Sequence, residues 1–356
     1  MLTRRALMTT VTGAAFFTRP ALAASLASGS SLQMELPGDY GQRLRTARRR
    51  GFHLHNQPAD SPLHRALTSL WKRVFDESSG AVMVTVLPLN ANLPLDDAEA
   101  VDDVAGGRFE FVSVAAPIID QLIPDIALQS LPFVYRNVDE VLTMTDQPDF
   151  SRLIEADLAH AGLALVAGGT FSNGFRVVVS DQSKPVRKLA DLEGLKIRVP
   201  PSVDIALIFR TLGAVPVVTT IADMRDAFVA GKVEAAENPP NIIAAFGLQS
   251  VSHWINVTNH MWTGFNTLAN HSFWSSLPLE VRDTILRLIQ NVRTVQVAQQ
   301  EALNADILRG YDGMEIIVTD ISDAHIKMRP VYDTVFASFS PAARRLAEPL
   351  IERADR

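Results

Sequence analysis

Two arginines stand where a β-sheet could present them to a ligand. In the segment 195–200, Arg198 alternates with apolar neighbours, and Pro200 and Pro201 end the predicted strand. Arg198 is therefore expected at the carboxyl end of a strand, where open α/β sheets bind ligands. Arg176 is a second arginine in the same half of the chain. A guanidinium binds a carboxylate through two hydrogen bonds, although on spacing alone a structural ion pair at a strand end is the favoured interpretation.

Other residues that could do chemistry lack the partners that the chemistry requires. The segment 169–174 has the two-glycine spacing of a phosphate-binding loop, but Phe175 and Arg176 follow where Lys and Ser or Thr are needed. His53 and His55 share one face of a predicted strand, and no third metal ligand accompanies them. We therefore interpret neither motif as a site.

Two aspartate pairs are a further possible source of acid–base chemistry. They stand at 96–97 and 102–103, in a predicted helix. Carboxylates at such positions complement the helix dipole or lie on a solvated face, so we assign them no catalytic role. The sequence predicts no catalytic residues, no resident metal and no cofactor.

The composition excludes several classes of protein. None of the 356 residues is cysteine, which excludes disulfides, thiolate nucleophiles and cysteine-ligated zinc or iron–sulfur clusters. The 33 basic and 39 acidic residues give a net charge of −6, which argues against a nucleic-acid-binding surface. A chain of this length with 47% hydrophobic residues is expected to form two domains.

The first residues are predicted to be an export signal. Residues 1–23 combine a basic start at Arg4 and Arg5, a short apolar stretch and small residues near the end. The paired arginines favour the twin-arginine route, and an ordinary secretory signal is the alternative. No segment reaches the roughly 20 apolar residues of a membrane-spanning helix, so we expect no membrane insertion of the mature chain. Residues 24–50 are predicted to be a flexible arm.

The hydrophobic pattern predicts an open α/β fold. Strands are expected at 52–55, 82–87 and 109–114, with helices between them. Strands that alternate with helices pair in parallel through right-handed crossovers. Further strands are predicted at 163–167, 175–180, 195–199, 215–218 and 265–270, and further helices at 149–161, 203–212 and 221–230.

A long helix is predicted in the last third of the chain. Apolar residues recur at helical spacing from Pro278 to about Leu308. A helix of roughly 30 residues would be near 45 Å long, which is longer than one small domain requires. We expect this helix to bridge two lobes.

Six segments together resemble a known family of binding proteins. Any one of them would be a weak signal, but their order and spacing are specific. The segments are 131–137 (LPFVYRN), 173–176 (NGFR), 189–200 (LADLEGLKIRVP), 212–216 (LGAVP), 231–239 (GKVEAAENP) and 258–260 (TNH). From about residue 51 to 346, the chain resembles the substrate-binding proteins of tripartite ATP-independent periplasmic (TRAP) transporters of the DctP type.

The resemblance implies a two-lobed α/β fold like that of periplasmic binding proteins, with a ligand cleft between the lobes and a long helix that spans them. One implied lobe is 51–170 with about 264–305, and the other is 171–263 with about 306–346. Members of the family bind a ligand and catalyse no reaction.

The resemblance also assigns ligand-binding roles. Arg198 matches the arginine that holds the ligand carboxylate, and Ser202 lies near the same wall of the pocket. Arg176 matches a second arginine that assists, and Asn238 matches an asparagine that hydrogen-bonds the ligand. Asn56 falls where some members contribute a polar side chain from the first lobe.

Several positions depart from the family pattern. Ile221 stands where many members place an aromatic residue that packs on the ligand. Ala115 stands where members that bind sialic acid carry a glutamate, which argues against that substrate. Trp262, His53 and His55 could line the cleft and favour an acid with an apolar or aromatic part, or could equally pack in the core or hinge.

The resemblance therefore predicts a periplasmic binding protein that captures an organic acid anion by cleft closure and delivers it to a TRAP membrane permease. One alternative is a binding protein that serves a sensor partner, and a second is an exported hydrolase or lyase. Two arginines are compatible with either a monocarboxylate or a dicarboxylate, and this choice stays open.

Overall fold

The computed structural model describes residues 40–93 and 96–354, without the side chains of Tyr40 and Asn92. The predicted signal peptide and the first part of the predicted arm, residues 1–39, lie outside the described residues. The chain divides into two compact units, residues 1–45 and 46–356, and both sheets belong to the second unit. Of the helices in the described ranges, none has the length and apolar character to cross a membrane.

The predicted strands and helices are present, with bounds shifted by a few residues, and the structure contains further strands and helices that were not predicted. The strands are β1 (Arg49–His55), β2 (Val82–Leu87), β3 (Phe111–Ala115), β4 (Leu163–Phe175), β5 (Val177–Ser180), β6 (Lys196–Val199), β7 (Val215–Val218), β8 (Ala235–Asn238), β9 (Trp254–Val257), β10 (Trp262–Asn270) and β11 (Glu315–Val318). The helices are α1 (Tyr40–Thr46), α2 (Pro62–Glu77), α3 (Asp97–Ala105), α4 (Ala116–Ile119), α5 (Val138–Thr145), α6 (Pro148–His160), α7 (Val203–Thr211), α8 (Met224–Val229), α9 (Pro240–Ala245), α10 (His271–Ser276), α11 (Leu279–Ile307), α12 (Ala324–Ser338) and α13 (Pro341–Ala354). Short 3₁₀ helices lie at Pro88–Asn92, Pro124–Ser130, Leu189–Leu192 and Leu248–Ser250.

Part of the predicted arm is regular structure. Helix α1 and the first residues of β1 fall within 40–50. Arg49 and Arg50 pair with Val82 and Met83 of β2. Strand pairing is made by the backbone, so these arginines join the sheet while their side chains stay exposed.

The first lobe is built on the sheet with strand order β2-β1-β3-β10-β4. Strand β1 pairs in parallel with β2 and β3, as the alternation of strands and helices predicted. Strand β10 is antiparallel to both β3 and β4 because it returns from the second lobe. The sheet is therefore mixed, and β4 extends past the predicted strand 163–167 by pairing with β10.

The second lobe is built on the sheet with strand order β11-β9-β5-β8-β6-β7. Strand β6 is parallel to β7 and β8, whereas β5 is antiparallel to β8 and β9. The chain enters this sheet at Arg176, between β4 and β5, and leaves it between β9 and β10. The two crossings are joined where the Arg176 N–H donates to the Met261 carbonyl at 2.8 Å.

The C-terminal helices connect the second lobe back to the first. Tyr332 of α12 donates its hydroxyl to the Pro132 carbonyl at 2.7 Å. Arg353 of α13 forms an ion pair with Glu140 of α5 at 2.9 Å. The chain that follows β11 therefore runs from the second lobe to contacts with the first.

Helix α11 joins the hydrophobic cores of the two lobes. Ile285 and Leu288, in its first half, pack with Trp71 in the core of the first lobe. Ile307, at its end, belongs to the core of the second lobe. Its 29 residues span about 43 Å. The predicted lobe-spanning helix is confirmed.

Between these apolar ends, α11 holds the crossing strand with amide side chains. Gln296 accepts from the Ser172 N–H at 3.1 Å and donates to the Ser172 carbonyl at 2.7 Å. Asn304 donates to the Asn173 carbonyl at 3.0 Å and accepts from the Asn241 N–H at 3.1 Å. Helix α11 therefore fixes the place where β4 leaves the first sheet.

A neutral histidine lies in the core of the first lobe. His53 is fully buried, and Trp71 Nε1, which can only donate, bonds to its Nδ1 at 3.0 Å. The ring proton is therefore on Nε2, which donates to Ser113 Oγ at 2.8 Å. Burial, together with the nearby His64, lowers the pKa of His53 to about 3.

This burial predicts a loss of stability in acid. The unfolded chain protonates His53 near pH 6.5, whereas the folded protein keeps it neutral down to about pH 3. Below pH 6.5 the unfolded state therefore binds more protons, and this group lowers the free energy of unfolding by about 1.4 kcal/mol per pH unit. In urea unfolding between about pH 6 and pH 4, we expect His53→Gln to be less pH-dependent by that amount.

His160→Gln is the matched control, because His160 is exposed at the end of α6. Its pH slope should equal that of the wild type. A His53→Gln slope as steep as that of the wild type would contradict the neutral burial of this histidine.

Candidate functional site

A cavity of about 590 Å³ lies between the two lobes, at one edge of each sheet. The parallel strands of both sheets end at this cavity. Lining residues that follow β1, β2 and β3 include Asn56, Leu89 and Pro117, and those that follow β6, β7 and β8 include Pro200, Thr220 and Pro239. Open α/β sheets bind ligands at such carboxyl ends, and the volume suits a small molecule.

Strand β6 delivers Arg198 to the cavity. Ile197 and Val199 are fully buried in the second lobe, and Arg198 lies between them on the opposite face of the strand. Pro200 and Pro201 end the strand at the cavity wall. Arg198 therefore occupies the strand end that the sequence predicted.

Arg198 is a buried cation without a carboxylate in contact. Its side chain is 1% exposed, and its Nε and Nη2 donate to the Thr219 carbonyl at 3.2 and 2.8 Å. Among the described residues, no carboxylate lies within ion-pair distance of this guanidinium. Burial lowers the pKa of Arg198 to about 10, so the group is charged at neutral pH.

Arg176 also lines the cavity, but its charge is compensated within the protein. Its Nη2 donates to Glu237 Oε1 at 2.6 Å, and its Nε donates to the other oxygen of the same carboxylate. His260 Nε2 approaches Glu237 at 3.3 Å. Although burial opposes ionisation, Arg176 and His260 hold the pKa of Glu237 below its ordinary value. Arg176 is thus in the structural ion pair that spacing alone favoured.

A carboxylate from the first lobe faces the same space. Asp97, in the first turn of α3, is half-buried and lines the cavity. Its two oxygens accept from Asn56 Nδ2 at 2.7 Å and from Asn90 Nδ2 at 3.0 Å. Burial raises the pKa of Asp97, and the two amide donors oppose that effect. The amides fix the orientation of this carboxylate.

Asn238 and Ile221, both predicted site residues, line the cavity. Asn238 is buried at the end of β8, and its Nδ2 lies 3.0 Å from Met224 Sδ. Asn56 lines the cavity as well, with its amide engaged by Asp97 and by Gln57 Nε2 at 2.8 Å. The predicted polar contributions from both lobes therefore meet in one space.

Ser202 and Trp262 lie beside the cavity rather than in its lining. Ser202 caps α7 by accepting from the Ile205 N–H at 3.2 Å, and it donates to Asp120 of the first lobe at 3.3 Å. Trp262 is fully buried at the start of β10. Ser202 therefore caps a helix and contacts the other lobe, and Trp262 is a packed strand residue.

His53 and His55 are also core residues rather than lining residues. His55 Nδ1 accepts from the Gln57 N–H at 3.1 Å, and its Nε2 lies 3.0 Å from His64 Nδ1. The described residues contain no group of three or more histidines or carboxylates that could hold a metal ion.

The sequence did not predict Asp97 as a residue of the cavity. Asp96 caps α3 in a capping box with Glu99, as expected of an aspartate at a helix start. Asp97, assigned with it to the helix terminus, instead faces the cavity. The available signal was its position shortly after β2, since strands β1, β2 and β3 end at the same edge.

Comparisons with known proteins agree on one family. The family model DctP, described as bacterial extracellular solute-binding protein, family 7, matches residues 53–338. The C4-dicarboxylate-binding periplasmic protein DctP of Rhodobacter capsulatus is 26% identical over 229 residues, or 64% of this chain and 67% of that protein.

Solved structures share the fold. A TRAP periplasmic solute binding protein from Bradyrhizobium sp. BTAi1, in complex with α/β-D-galacturonate, matches with a TM-score of 0.77 at 22% identity, over 85% of this chain and 100% of that chain. Another, from Pseudomonas aeruginosa PAO1 with bound L-malate, matches with a TM-score of 0.72 at 22% identity, over 80% and 99%.

The family match covers most of the chain and includes both sheets. It confirms the resemblance drawn from the six sequence segments and indicates a transport binding protein rather than an enzyme. The chain belongs to the bacterial extracellular solute-binding protein family 7, the DctP family.

Proposed function

We propose that this protein captures an organic acid anion in the periplasm and delivers it to a TRAP membrane permease. The observation that carries the proposal is Arg198, a buried guanidinium that lines the cavity and contacts no carboxylate among the described residues. A ligand carboxylate would supply the missing counter-charge through two hydrogen bonds. The carboxylates named for several relatives, such as galacturonate and malate, support this ligand class.

Capture would work by closure of the two lobes around the ligand. The lobes are joined at the crossing near Arg176, at its return near Met261 and by α11, so a few backbone positions can absorb the motion. Closure removes water from the cavity, which strengthens the attraction between Arg198 and a carboxylate. The ligand favours the closed form because only that form offers contacts from both lobes.

The remaining predicted site residues would have smaller roles. Asn238 would hydrogen-bond the ligand from the second lobe, and Ile221 would pack against its apolar part. Arg176 would assist as a donor while its charge stays balanced by Glu237. Asn56 would act mainly by orienting Asp97. Ser202 and Trp262 would shape the wall from behind.

The central role of Arg198 predicts the behaviour of one variant. Arg198→Ala should weaken binding of organic acids by about 2 to 5 kcal/mol, because it removes one partner of a buried charge pair. An acid at one hundred times its dissociation constant should stabilise the wild type by about 2.7 kcal/mol and the variant by far less. Differential scanning fluorimetry with a panel of organic acids measures both.

The matched control is Arg210→Ala, which removes an exposed arginine from the end of α7. This variant should bind as the wild type does. The ligand-free Arg198→Ala protein should stay folded. The substitution removes a buried charge that contacts no carboxylate among the described residues, so it leaves no buried carboxylate without its partner. Wild-type affinity in Arg198→Ala would refute the proposed carboxylate site.

The proposed export route has its own test. Arg4 and Arg5 stand together before the apolar stretch of the predicted signal. Changing both to Lys keeps the charge but should abolish transport through a pathway that reads paired arginines. Cell fractionation would then find the variant in the cytoplasm, and unchanged export would support an ordinary secretory signal instead.

A further inference from the structure

The lining of the cavity contains more negatively charged than positively charged side chains. Of the described residues that line it, two are arginines, Arg176 and Arg198, and three are aspartates, Asp96, Asp97 and Asp223. Arg176 is already paired with Glu237, a fourth carboxylate. The cavity therefore offers one guanidinium without a carboxylate partner in contact.

We infer that this cavity selects a monocarboxylate that carries a hydrogen-bond donor at its other end, and that Asp97 both binds this donor and excludes dicarboxylates. The inference rests on the proposed function, because it takes Arg198 as the site of the single ligand carboxylate.

Asp97 is oriented for this role by residues of its own lobe. The amides of Asn56 and Asn90 each occupy one of its oxygens, at 2.7 and 3.0 Å. An ionised carboxylate can accept about four hydrogen bonds, so each oxygen keeps capacity for a ligand donor. A hydroxyl or a protonated amine can use that capacity, whereas a second carboxylate has no proton to offer.

Charge reinforces this difference in hydrogen bonding. Arg198 and Asp97 line the same cavity from different lobes. A ligand that spans from Arg198 towards Asp97 would place a second carboxylate beside a like charge in a space of low dielectric constant. Like charges in such a space repel by several kcal/mol.

A second polar residue, Asn173, belongs to the lining. The side chain of Asn173 is 6% exposed and lines the cavity, and its Oδ1 is buried without a hydrogen-bond partner among the described residues. A buried acceptor without a partner is unfavourable unless something donates to it.

The remaining lining residues indicate the chemical character of the middle part of the ligand. Much of it is apolar, and it includes Ile205, Ile221, Ile242, Phe246 and Phe265. An apolar lining with few polar groups fixes a ligand by its shape and by the ends that carry charge. The class is therefore a hydroxy or amino monocarboxylate with an apolar face.

The test compares acids that share a skeleton and differ only at the far end. One series is phenylacetate with a para hydroxyl, a para aminomethyl group, a para carboxylate or no substituent. A second pair is gluconate and glucarate, in which a terminal hydroxymethyl group becomes a carboxylate. In isothermal titration calorimetry of the wild type, the hydroxyl or aminomethyl acid of a skeleton should bind at least about tenfold more tightly than the diacid. The hydroxyl and aminomethyl arms decide which donor the site prefers.

Asp97→Asn should reduce that preference by about tenfold, because it removes the negative charge and one oxygen acceptor. Asp102→Asn is the matched control, since it removes an equal charge from the exposed face of α3 and should leave the ratio unchanged. A diacid that binds the wild type as tightly as its hydroxy counterpart would overturn the inference, whether or not Asp97→Asn folds. An unchanged ratio in folded Asp97→Asn would also overturn it.

These outcomes are distinct from failure of the proposed function. If diacids bind and Arg198→Ala abolishes their binding, the carboxylate site stands and only the selectivity of Asp97 is wrong. If no acid of either class binds, the proposed function fails, and this inference fails with it.

Discussion

A positive charge buried without a contacting carboxylate is the constraint on which this cleft depends. An isolated ion in a protein interior loses several kcal/mol of hydration, so such groups are paired or wait for a ligand. Arg198 donates to one carbonyl, that of Thr219, and the more distant carboxylates of Glu237, Asp97 and Asp223 favour its charged form. These groups keep the guanidinium charged and oriented. None of the described carboxylates contacts it, so a ligand carboxylate can. Strand β6, which ends in two prolines at the cavity, places that side chain in the lining.

The second arginine shows how the same side chain can serve the scaffold. Arg176 is the residue between β4 and β5, where the chain crosses from one lobe to the other, and its bidentate ion pair with Glu237 ties this crossing to β8. The amides of Gln296 and Asn304 hold the adjacent part of β4. The crossing between the lobes is therefore held by one ion pair and by side-chain amides of α11.

The sequence could predict the elements that local patterns decide, but not the features that depend on long-range contacts. Alternation and helical spacing located β1, β2, β6 and the long helix α11, because each is decided by which neighbouring residues are apolar. The antiparallel placement of β10 and the extension of β4 depend on pairing between residues about a hundred positions apart, which no local pattern records. Arg176 has the same limitation, since its partner Glu237 is 61 residues away. The strand pattern located Arg198, and the resemblance assigned its role and that of Asn238. Asp97 was missed because the residue before it is a helix cap.

The proposed function depends on a ligand carboxylate held by Arg198. Native mass spectrometry of protein purified from the exporting cell, followed by release and identification of the bound molecule, tests this most directly. We predict a single small carboxylic acid in one-to-one complex with the wild type and no such complex in Arg198→Ala. A bound molecule without a carboxylate, or an equal complex in the variant, would contradict the account.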